Sequence, residues 1–324
     1  MPGICLVGCG SIARTHARNL TGAAALFCYS RSQESAERLA GEYGGQIVPA
    51  WNEVLRRPEI DALVICSPPE YHCEQTVEAL EAGKSVLVEK PLCVSREEID
   101  RISAAAADWP EPRLMVAENY YYKPLVKLLR WILRLGFLGT LQRMEIRKQY
   151  TPAITGWKRG YGALLEGGVH FVALISALAE VSGHQAPDKI ESAQPDRVPG
   201  SPERRSETLL HYPGGLTATL SYAWNAPALF QGALQHSRIR GDEGSVVFET
   251  NGLYSYLWCR QRRRLYIPGL RDLMGTRAMM RDFLASIERP DHQPVSNLHR
   301  AARDLEIVFA AYQAASGDGD SPSR

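Results

Sequence analysis

The stretch Glu89-Lys90-Pro91 combines the residue types most suited to chemistry in this chain. It follows the apolar run Ser85-Val86-Leu87-Val88, which is typical of a buried strand. A lysine fixed just after a strand can place its ammonium against a substrate oxygen, and Pro91 restricts Lys90 to extended backbone geometry. A surface lysine exposed to solvent would give the same sequence pattern. A chemical role for Lys90 therefore depends on supporting motifs elsewhere in the chain.

A glycine-rich turn near the N-terminus supplies a first partner. Gly8-Cys9-Gly10-Ser11-Ile12-Ala13 follows the apolar run Ile4-Cys5-Leu6-Val7 and opens a predicted helix that extends to Leu20. In this pattern the first glycine permits a tight turn, the second lets the backbone approach a pyrophosphate, and the alanine lets the helix pack on the strand. Because N–H groups at a helix N-terminus bind phosphate, the turn predicts a dinucleotide site. A plain strand-to-helix turn is the alternative.

The residues after the next strand indicate which dinucleotide binds. Sites for NAD usually carry Asp or Glu about 20 residues past the glycine turn, where the carboxylate binds the ribose 2′-hydroxyl. This chain has Tyr29-Ser30-Arg31-Ser32 there. A carboxylate would repel a 2′-phosphate, whereas serine hydroxyls and an arginine bind one. We therefore expect NADP(H) as the preferred cofactor, with NAD(H) still possible, unless the segment is only a solvent-facing loop.

The elements that position these residues alternate between short apolar runs and helical patterns up to residue 119. The predicted strands are 4–7, 24–29, 62–66, 86–88 and 114–117, and the predicted helices are 12–20, 35–43, 71–82 and 99–107. Such alternation implies parallel strands joined by right-handed crossovers, in a sheet covered on both faces. We predict a doubly wound α/β domain over residues 1–119, with Ser67-Pro68-Pro69 and Lys90 beyond the carboxyl ends of its strands.

The pattern changes after residue 119. Helices are predicted over 124–135 and 162–178, and a strand is predicted over 141–150. Short strand-like runs separated by Gly, Pro and Asn follow at 206–212, 216–224, 236–241, 245–250 and 254–259. Spacings this short suit antiparallel hairpins. With closing helices over 279–287 and 300–315, we predict a second domain of residues 120–324.

Composition excludes several classes of function. The formal net charge of +1 provides no field to attract nucleic acid or an acidic membrane surface. No apolar run approaches the roughly 18 residues that span a bilayer, and the first predicted strand leaves no room for a signal peptide. The 7 cysteines form no CxxC pair and no metal-like Cys/His spacing. We therefore expect no metal site, no membrane partner and a cytoplasmic location.

Three segments together resemble the Gfo/Idh/MocA oxidoreductases, a family that includes glucose–fructose oxidoreductase and inositol dehydrogenase. They are the glycine turn, Ala79-Leu80-Glu81-Ala82-Gly83-Lys84-Ser85-Val86-Leu87-Val88-Glu89-Lys90-Pro91, and Gly162-Ala163-Leu164-Leu165-Glu166-Gly167-Gly168-Val169-His170. The resemblance implies a Rossmann domain followed by an α/β domain with a large, mostly antiparallel open sheet. It also implies a catalytic Lys90 near the nicotinamide, and a homodimer or homotetramer packed through the C-terminal sheets.

The third segment carries the proton-transfer residues that the resemblance implies. His170 matches the family's histidine, Glu166 stands where an aspartate is usual, and Ala173 replaces a further common aspartate. At positions i and i+4 of a helix, Glu166 and His170 would share a face, so the carboxylate would favour the imidazolium and hold the ring. A helix-start glutamate and a structural histidine are the alternative.

Polar and aromatic residues around these motifs complete the predicted site. The predicted cofactor contacts are Gly8, Gly10, Ser11, Ile12, Ser30, Arg31, Ser32, Ser67, Pro68, His72, Glu89 and Lys90. The predicted substrate contacts are Tyr120, Tyr122, Trp157, Lys158 and His170. Helix capping or surface placement for His72, core packing for the tyrosines, and an exposed loop for residues 157–158 are equally compatible with the sequence.

These residues together predict an NADP-dependent dehydrogenase or reductase. Lys90 would hold the reacting oxygen, His170 would exchange the proton, and Glu166 would orient His170. Hydride would move between the nicotinamide and a carbinol or carbonyl carbon of a sugar, a cyclitol or a keto sugar. Because Glu166 and Ala173 depart from the usual pattern, a C=N or C=C reductase stays open. So do a redox-neutral lyase or glycosidase that retains NAD(H) and a dinucleotide-sensing regulator.

Overall fold

The chain divides into two compact units. The computed structural model describes residues 1–109, 113–228, 232, 234–269, 271–289 and 291–316. The first unit comprises Met1–Asn119 and Thr276–Ala302, and the second comprises Tyr120–Gly275 and the residues from Arg303 onward. The sequence pattern assigns residues 276–302 to the second domain, and the structure corrects this assignment because they pack within the first unit.

A parallel sheet forms the centre of the first unit. Its six strands in the described part of the chain are β1 (Gly3–Val7), β2 (Ala25–Tyr29), β3 (Gly45–Ile47), β4 (Ala62–Ile65), β5 (Ser85–Val88) and β6 (Leu114–Val116). They lie in the order β3-β2-β1-β4-β5-β6 with every neighbouring pair parallel. The strand order reverses between β1 and β4, and ligands of doubly wound sheets bind at such a point, beyond the carboxyl ends of the strands.

Helices connect these strands. They are α1 (Ser11–Leu20), α2 (Gln33–Tyr43), α3 (Trp51–Arg56), α4 (His72–Glu81) and α5 (Arg96–Ala107). Because helices cover both faces of such a sheet, β1 and β4 are buried along their whole length. The sequence pattern does not predict β3 and α3, since β3 is mostly exposed and α3 has Val54 as its only buried residue.

A second, mostly antiparallel sheet forms the core of the other unit. Its eight described strands are β7 (Leu141–Gln149), β8 (Lys189–Ala193), β9 (Arg205–His211), β10 (Thr217–Ala223), β11 (His236–Gly241), β12 (Gly244–Glu249), β13 (Ser255–Cys259) and β14 (Arg263–Tyr266). They lie in the order β14-β13-β12-β11-β7-β10-β9-β8. The one parallel pair is β7 with β10. The predicted doubly wound sheet and the predicted open antiparallel sheet are therefore both confirmed.

Three of the remaining described helices lie within one unit, and the boundary between the units falls inside the fourth, after Ala302. The four helices are α6 (Pro124–Arg134), α7 (Val169–Val181), α8 (Thr276–Glu288) and α9 (Leu298–Ser316). In the second unit, α7 packs against α6, β7 and β10. In the first unit, α8 buries Met279, Met280 and Phe283 and packs against α1. This apolar face of α8 is the physical reason why residues 276–302 belong to the first unit.

Candidate active site

The glycine turn has the geometry that close approach of a phosphate requires. Gly8 has a φ of +86°, and a Cβ there would lie 2.8 Å from the backbone nitrogen of Ser67. Only glycine fits such a position. At Gly10, a Cβ would meet no atom within 4 Å. Ser11 and Ile12 are exposed in the first turn of α1, where the backbone N–H groups have no intrahelical acceptor and can bind a pyrophosphate.

The segment Ser30-Arg31-Ser32 lies between β2 and α2. The Ser32 hydroxyl caps α2 by accepting the Ser35 N–H at 3.3 Å, and the Ser30 hydroxyl accepts the Ser32 N–H at the same distance. The Arg31 guanidinium lies 4.4 Å from the centre of the Tyr71 ring and donates to the Tyr71 hydroxyl at 2.7 Å. The predicted phosphate ligands thus lie just before and at the N-terminus of α2. Tyr71, which the sequence analysis does not predict, contacts one of them, Arg31.

His72 links two loops at the carboxyl edge of the sheet. Its Nδ1 lies 2.7 Å from the Pro91 carbonyl oxygen, and its Nε2 lies 2.8 Å from the Ser67 carbonyl oxygen. The side chain is 1% exposed. Burial lowers the pKa of His72, against the opposing effect of both backbone hydrogen bonds. Since its ring nitrogens are engaged by the protein, this geometry favours a structural link over the predicted contact with a cofactor, which stays a prediction.

Glu89 and Lys90 directly follow the end of β5. Glu89 is buried, and its Oε1 lies 2.7 Å from Nε2 of His16 on α1. Its Oε2 accepts the backbone N–H of Lys90 at 3.2 Å. Burial raises the pKa of Glu89, but the His16 hydrogen bond and charge and the nearby Lys90 charge outweigh it, so the pKa lies below its usual value. Glu89 therefore supports the position of Lys90, and its carboxylate is already bonded within the protein.

The carboxyl ends of four neighbouring strands carry these groups. The order β2-β1-β4-β5 places the Ser30–Ser32 segment, the glycine turn, Ser67 and Lys90 in succession along one edge. Ser67, which is half-buried, donates to the side-chain oxygen of Gln75 at 2.6 Å. A dinucleotide laid along this edge would have its adenosine end near β2 and its nicotinamide end towards Lys90.

In the second unit, Glu166 does not lie in a regular α-helix. Leu164–Gly168 form a π-helical turn that precedes α7. Glu166 is 5% exposed, and its Oε1 lies 2.8 Å from the Lys158 Nζ. A π turn changes the spacing on which the shared face of Glu166 and His170 was predicted. The regular α-helix expected at Glu166 is therefore replaced by a π turn, and the shared face with His170 stays a prediction. Lys158, a predicted substrate contact, is an ion-pair partner of Glu166.

The glycines of this segment serve packing inside the unit. A Cβ at Gly167 would overlap the hydroxyl of Tyr222, and a Cβ at Gly162 would overlap the carboxylate of Glu203. Glu203 accepts the Leu164 N–H at 2.8 Å and the Tyr312 hydroxyl at 2.9 Å. Burial raises the pKa of Glu203, and these two bonds oppose the rise. The glycines thus allow a close approach of protein groups.

His170 lies in the first turn of α7 and stacks on an aromatic ring. The Tyr120 ring centre lies 5.0 Å from that of His170, with 18° between the planes. The Nζ of buried Lys123 lies 4.2 Å from the same Tyr120 ring centre. Tyr120 therefore holds the orientation of the histidine. Tyr122 is 4% exposed, which favours core packing over its predicted contact with substrate.

Trp157 and Lys158 lie in a short 3₁₀ turn, Gly156–Gly160. Trp157 is 37% exposed and packs edge-on against Tyr161, with ring centres 5.9 Å apart. The Lys158 Nζ lies 5.5 Å from the Trp157 ring centre. An exposed indole beside a cation can contact a ligand, so the structure is compatible with the predicted role of Trp157.

A comparison with known protein families matches the part of the chain that forms the Rossmann domain. Residues 3–117 match the model of the "Oxidoreductase family, NAD-binding Rossmann fold", GFO_IDH_MocA. The matched range contains the glycine turn, the Ser30–Ser32 segment and Lys90. Residues 3–117 belong to the Gfo/Idh/MocA oxidoreductase family. The predicted family and the predicted Rossmann domain are thereby confirmed for these residues, and the family's description agrees with the predicted binding of a nicotinamide dinucleotide.

The curated relatives that this chain resembles include enzymes named for reactions on sugars. It is 31% identical over 178 residues to a dTDP-3,4-didehydro-2,6-dideoxy-alpha-D-glucose 3-reductase of Actinomadura kijaniata, covering 51% of this chain and 52% of the relative. It is 28% identical over 193 residues to a glucose-6-phosphate 3-dehydrogenase of Bacillus subtilis, covering 56% and 54%. The chain thus spans about half the length of the curated relatives it matches.

Solved structures extend the likeness in fold to nearly the whole chain. A levoglucosan dehydrogenase in complex with NADH and levoglucosan has a TM-score of 0.84 at 19% identity, with 99% of this chain and 100% of that chain covered. A 3-ketoreductase from Actinomadura kijaniata in complex with TDP-benzene and NADP has a TM-score of 0.78 at 22% identity, with 97% and 98% covered. At these identities the comparison shows the shared fold.

Two supporting residues of the Rossmann domain are absent from the sequence-based prediction. Tyr71 pairs with Arg31, and His16 pairs with Glu89. A signal for His16 is present in the sequence, because it lies in the buried stripe of α1 with Ala13, Ala17 and Leu20. A histidine in an apolar stripe requires a buried polar partner. The sequence contains no comparable signal for Tyr71.

One helical stretch in the described ranges is long and apolar enough to cross a membrane. This stretch, Leu164–Val181, corrects the expectation that the sequence contains no such run. However, 83% of it is buried inside the structure. Such burial is typical of the core helix of a globular unit, and α7 is apolar on all sides because it packs against α6 and the sheet.

Proposed function

We propose that this protein is an NADP-dependent oxidoreductase that acts on a sugar, a cyclitol or a keto sugar. Hydride would pass between C4 of the nicotinamide and a carbinol or carbonyl carbon of the substrate. The observation that carries the proposal is the placement of Lys90 on the same carboxyl edge as the glycine turn, two strands away from it. The sugar reductase and sugar-phosphate dehydrogenase among the relatives support the substrate class.

The preference for NADP(H) over NAD(H) is supported by charge. Ser30-Arg31-Ser32 offers hydroxyl groups, a guanidinium and the N-terminus of α2 where a ribose 2′-phosphate would lie. The acidic residue nearest to this segment in the sequence is Glu34, whose carboxylate accepts a hydrogen bond from Arg38 at 2.6 Å. This pairing reduces the repulsion that Glu34 would exert on a phosphate.

Lys90 is the proposed group that holds the reacting oxygen. Its ammonium would donate a hydrogen bond to the carbonyl or alkoxide and stabilise the negative charge that develops there. Glu89 binds the Lys90 backbone N–H, and His72 binds the carbonyl of Pro91. Lys90 is thereby held on both sides at the backbone, which favours a fixed position of its ammonium relative to the sheet edge.

His170 is the proposed acid and base. It would take the hydroxyl proton during oxidation and return it during reduction. Tyr120 fixes the ring by stacking, and this contact supports a defined orientation. Glu166 forms an ion pair with Lys158, which partly neutralises its carboxylate. In this proposal, Glu166 affects the electrostatic potential near the substrate through that pair. The Lys158 ammonium and the exposed indole of Trp157 would border the substrate.

A Lys90→Ala variant tests the proposal. We expect kcat to fall by at least about 100-fold with NADPH affinity little changed, because the lost contact acts on the reacting oxygen. Turnover is measured as the change in absorbance of the reduced nicotinamide, with a panel of sugars, sugar phosphates, nucleotide-linked keto sugars and cyclitols. Lys127→Ala, which removes an exposed lysine of α6, is the matched control.

The same panel separates the other candidate functions. Near-wild-type kcat in Lys90→Ala would contradict the assignment of Lys90. If the protein turns over only imines or activated alkenes, its substrate carries a C=N or C=C bond instead of a carbonyl group. Binding of NADPH without turnover of any member would favour a dinucleotide sensor.

The proposed assembly is a homodimer or homotetramer that packs through the outer face of the eight-stranded sheet. Tyr256 and Trp258 of β13 and Leu265 of β14 are exposed there. Contiguous exposed apolar residues of this kind are typical of protein interfaces. The balanced charge and the thiol-rich Rossmann domain fit a cytoplasmic enzyme.

A further inference from the structure

The contact between Arg31 and Tyr71 joins the two strand ends that flank the glycine turn. β2 and β4 lie on either side of β1, so their ends are separated by two strand spacings, about 10 Å. Arg31 follows β2, and Tyr71 ends the 3₁₀ turn Pro69–Tyr71 that follows β4. The hydrogen bond of 2.7 Å and the 4.4 Å approach of the guanidinium carbon to the ring centre close this gap.

Tyr71 is itself fixed by its neighbours. Its backbone N–H donates to the Pro68 carbonyl oxygen at 3.0 Å. The next residue, His72, is buried and lies within hydrogen-bond distance of two backbone carbonyl oxygens, those of Ser67 and Pro91. A ring attached to such a segment gives the guanidinium a defined resting place. Arg31 therefore loses less side-chain entropy on binding an anion than a solvated arginine would.

We propose that Tyr71 determines the preference for NADP(H) by positioning Arg31 against the ribose 2′-phosphate. This inference rests on the proposed use of NADP(H). A guanidinium has five N–H donors, and the described bond to Tyr71 uses one of them. The others can bind the phosphate beside Ser30 and the N-terminus of α2. NAD(H) carries a hydroxyl there, so it gains little from a positioned cation. Tyr71 is a positioning residue, because it acts through Arg31.

Binding constants for NADPH and NADH, measured by fluorescence, test this role in the full-length protein. Tyr71→Phe keeps the ring and removes the hydroxyl, so NADPH should bind about three- to tenfold more weakly while NADH affinity is unchanged. Tyr71→Ala should lower NADPH affinity further, because the contact with the ring is lost as well. Arg31→Ala should reduce NADPH affinity at least as much as Tyr71→Ala.

A double-mutant cycle shows whether Tyr71 acts through Arg31. In an Arg31→Ala background, Tyr71→Ala should have no further effect on NADPH affinity, since no guanidinium remains to be positioned. Tyr43→Phe, at the end of α2, is the control for loss of a tyrosine hydroxyl in the same unit. Thermal melting of each variant separates a loss of affinity from a loss of folded protein.

The outcomes distinguish this inference from the proposal on which it rests. A wild-type protein that binds NADPH no more tightly than NADH overturns the cofactor proposal and this inference together. A wild-type preference for NADPH that persists in Tyr71→Phe and Tyr71→Ala overturns the inference alone. An increase in NADPH affinity in Tyr71→Ala also overturns it, because Tyr71 would then withhold Arg31 from the phosphate.

Discussion

Glu89 shows how a single buried carboxylate couples the site to pH. Burial raises its pKa, but the hydrogen bond and charge of His16 together with the nearby Lys90 charge outweigh this effect, so the pKa lies below the usual value of 4.5. A group with a lowered folded-state pKa stabilises the fold above its unfolded pKa and loses this contribution as pH falls through the folded value. The free energy of unfolding should therefore decrease as pH falls below 4.5.

Glu89→Gln isolates this contribution. The variant should be less stable than the wild type at pH 7 by about 1.5–3 kcal/mol, because a hydrogen bond to a charged group is lost. Its stability should decline less between neutral and acidic pH. Urea unfolding at a series of pH values measures both curves. Parallel curves for the two proteins would show that Glu89 does not contribute to the acid dependence.

Residue types and local spacing reveal the reactive groups of this chain better than their partners. Lys90 follows a strand and precedes a proline, and the glycine turn is contiguous, so both are visible as local patterns. The partners are distant in sequence, since His16 lies 73 residues from Glu89 and Tyr71 lies 40 residues from Arg31. Strand order brings them together, and no single-sequence pattern specifies that order.

The π-helical turn before α7 contains Glu166 and leads directly into the helix that carries His170. The Tyr222 side chain is held in place beside this turn. Its hydroxyl accepts the Trp224 indole N–H at 3.0 Å, and the side chain is 2% exposed. Gly167→Ala should therefore destabilise the protein by about 1–3 kcal/mol, since the added methyl overlaps that hydroxyl. Thermal or urea unfolding measures the change.

A helical glycine in open space provides the control for Gly167. Gly41 lies in α2, where an added Cβ would meet no atom within 4 Å. Gly41→Ala should stabilise the protein by about 0.5–1 kcal/mol through helix propensity alone. Combining Gly167→Ala with Tyr222→Phe should cost less than the sum of the two single changes, because the overlapping oxygen is gone. Strict additivity would contradict the steric explanation.

Elements with a strong apolar period are predictable in this chain, and deviations from regular geometry are not. The buried strands β1, β4 and β5 follow directly from their apolar runs. The helix predicted over 162–178 contains the π turn at Leu164–Gly168. In this stretch Gly162 lies against Glu203 and Gly167 lies against Tyr222, and both contacts are tertiary. A helical period read from the sequence cannot include them.

The two units of the molecule follow from where apolar surface is covered. The change from alternating strands and helices to short hairpins marks the boundary at residue 119. The sequence contains no comparable signal that residues 276–302 belong to the first unit, because α8 has an ordinary amphipathic pattern. Only its packing against α1 shows where that apolar face is buried.

The outer face of the eight-stranded sheet carries an ordered row of side chains. Strand pairing aligns Leu265 with Tyr256, Tyr256 with Val247, Val247 with Arg238, and Arg238 with Glu145. Paired residues of neighbouring strands point to the same face. One end of the row is therefore apolar and the other end carries opposite charges. A second copy related by a two-fold axis would bury the apolar end and pair the charges.

Tyr256→Lys tests this assembly at the centre of the apolar end. We expect the wild type to sediment as a dimer or tetramer, and the variant to shift towards the monomer by at least tenfold in dissociation constant. The reason is that a buried, unpaired ammonium costs more than about 1.4 kcal/mol, the equivalent of that factor. Val198→Lys, which places the same charge at an exposed apolar position outside the strands of this sheet, should leave the assembly intact. Equal sedimentation of wild type and Tyr256→Lys would show that the assembly uses another surface.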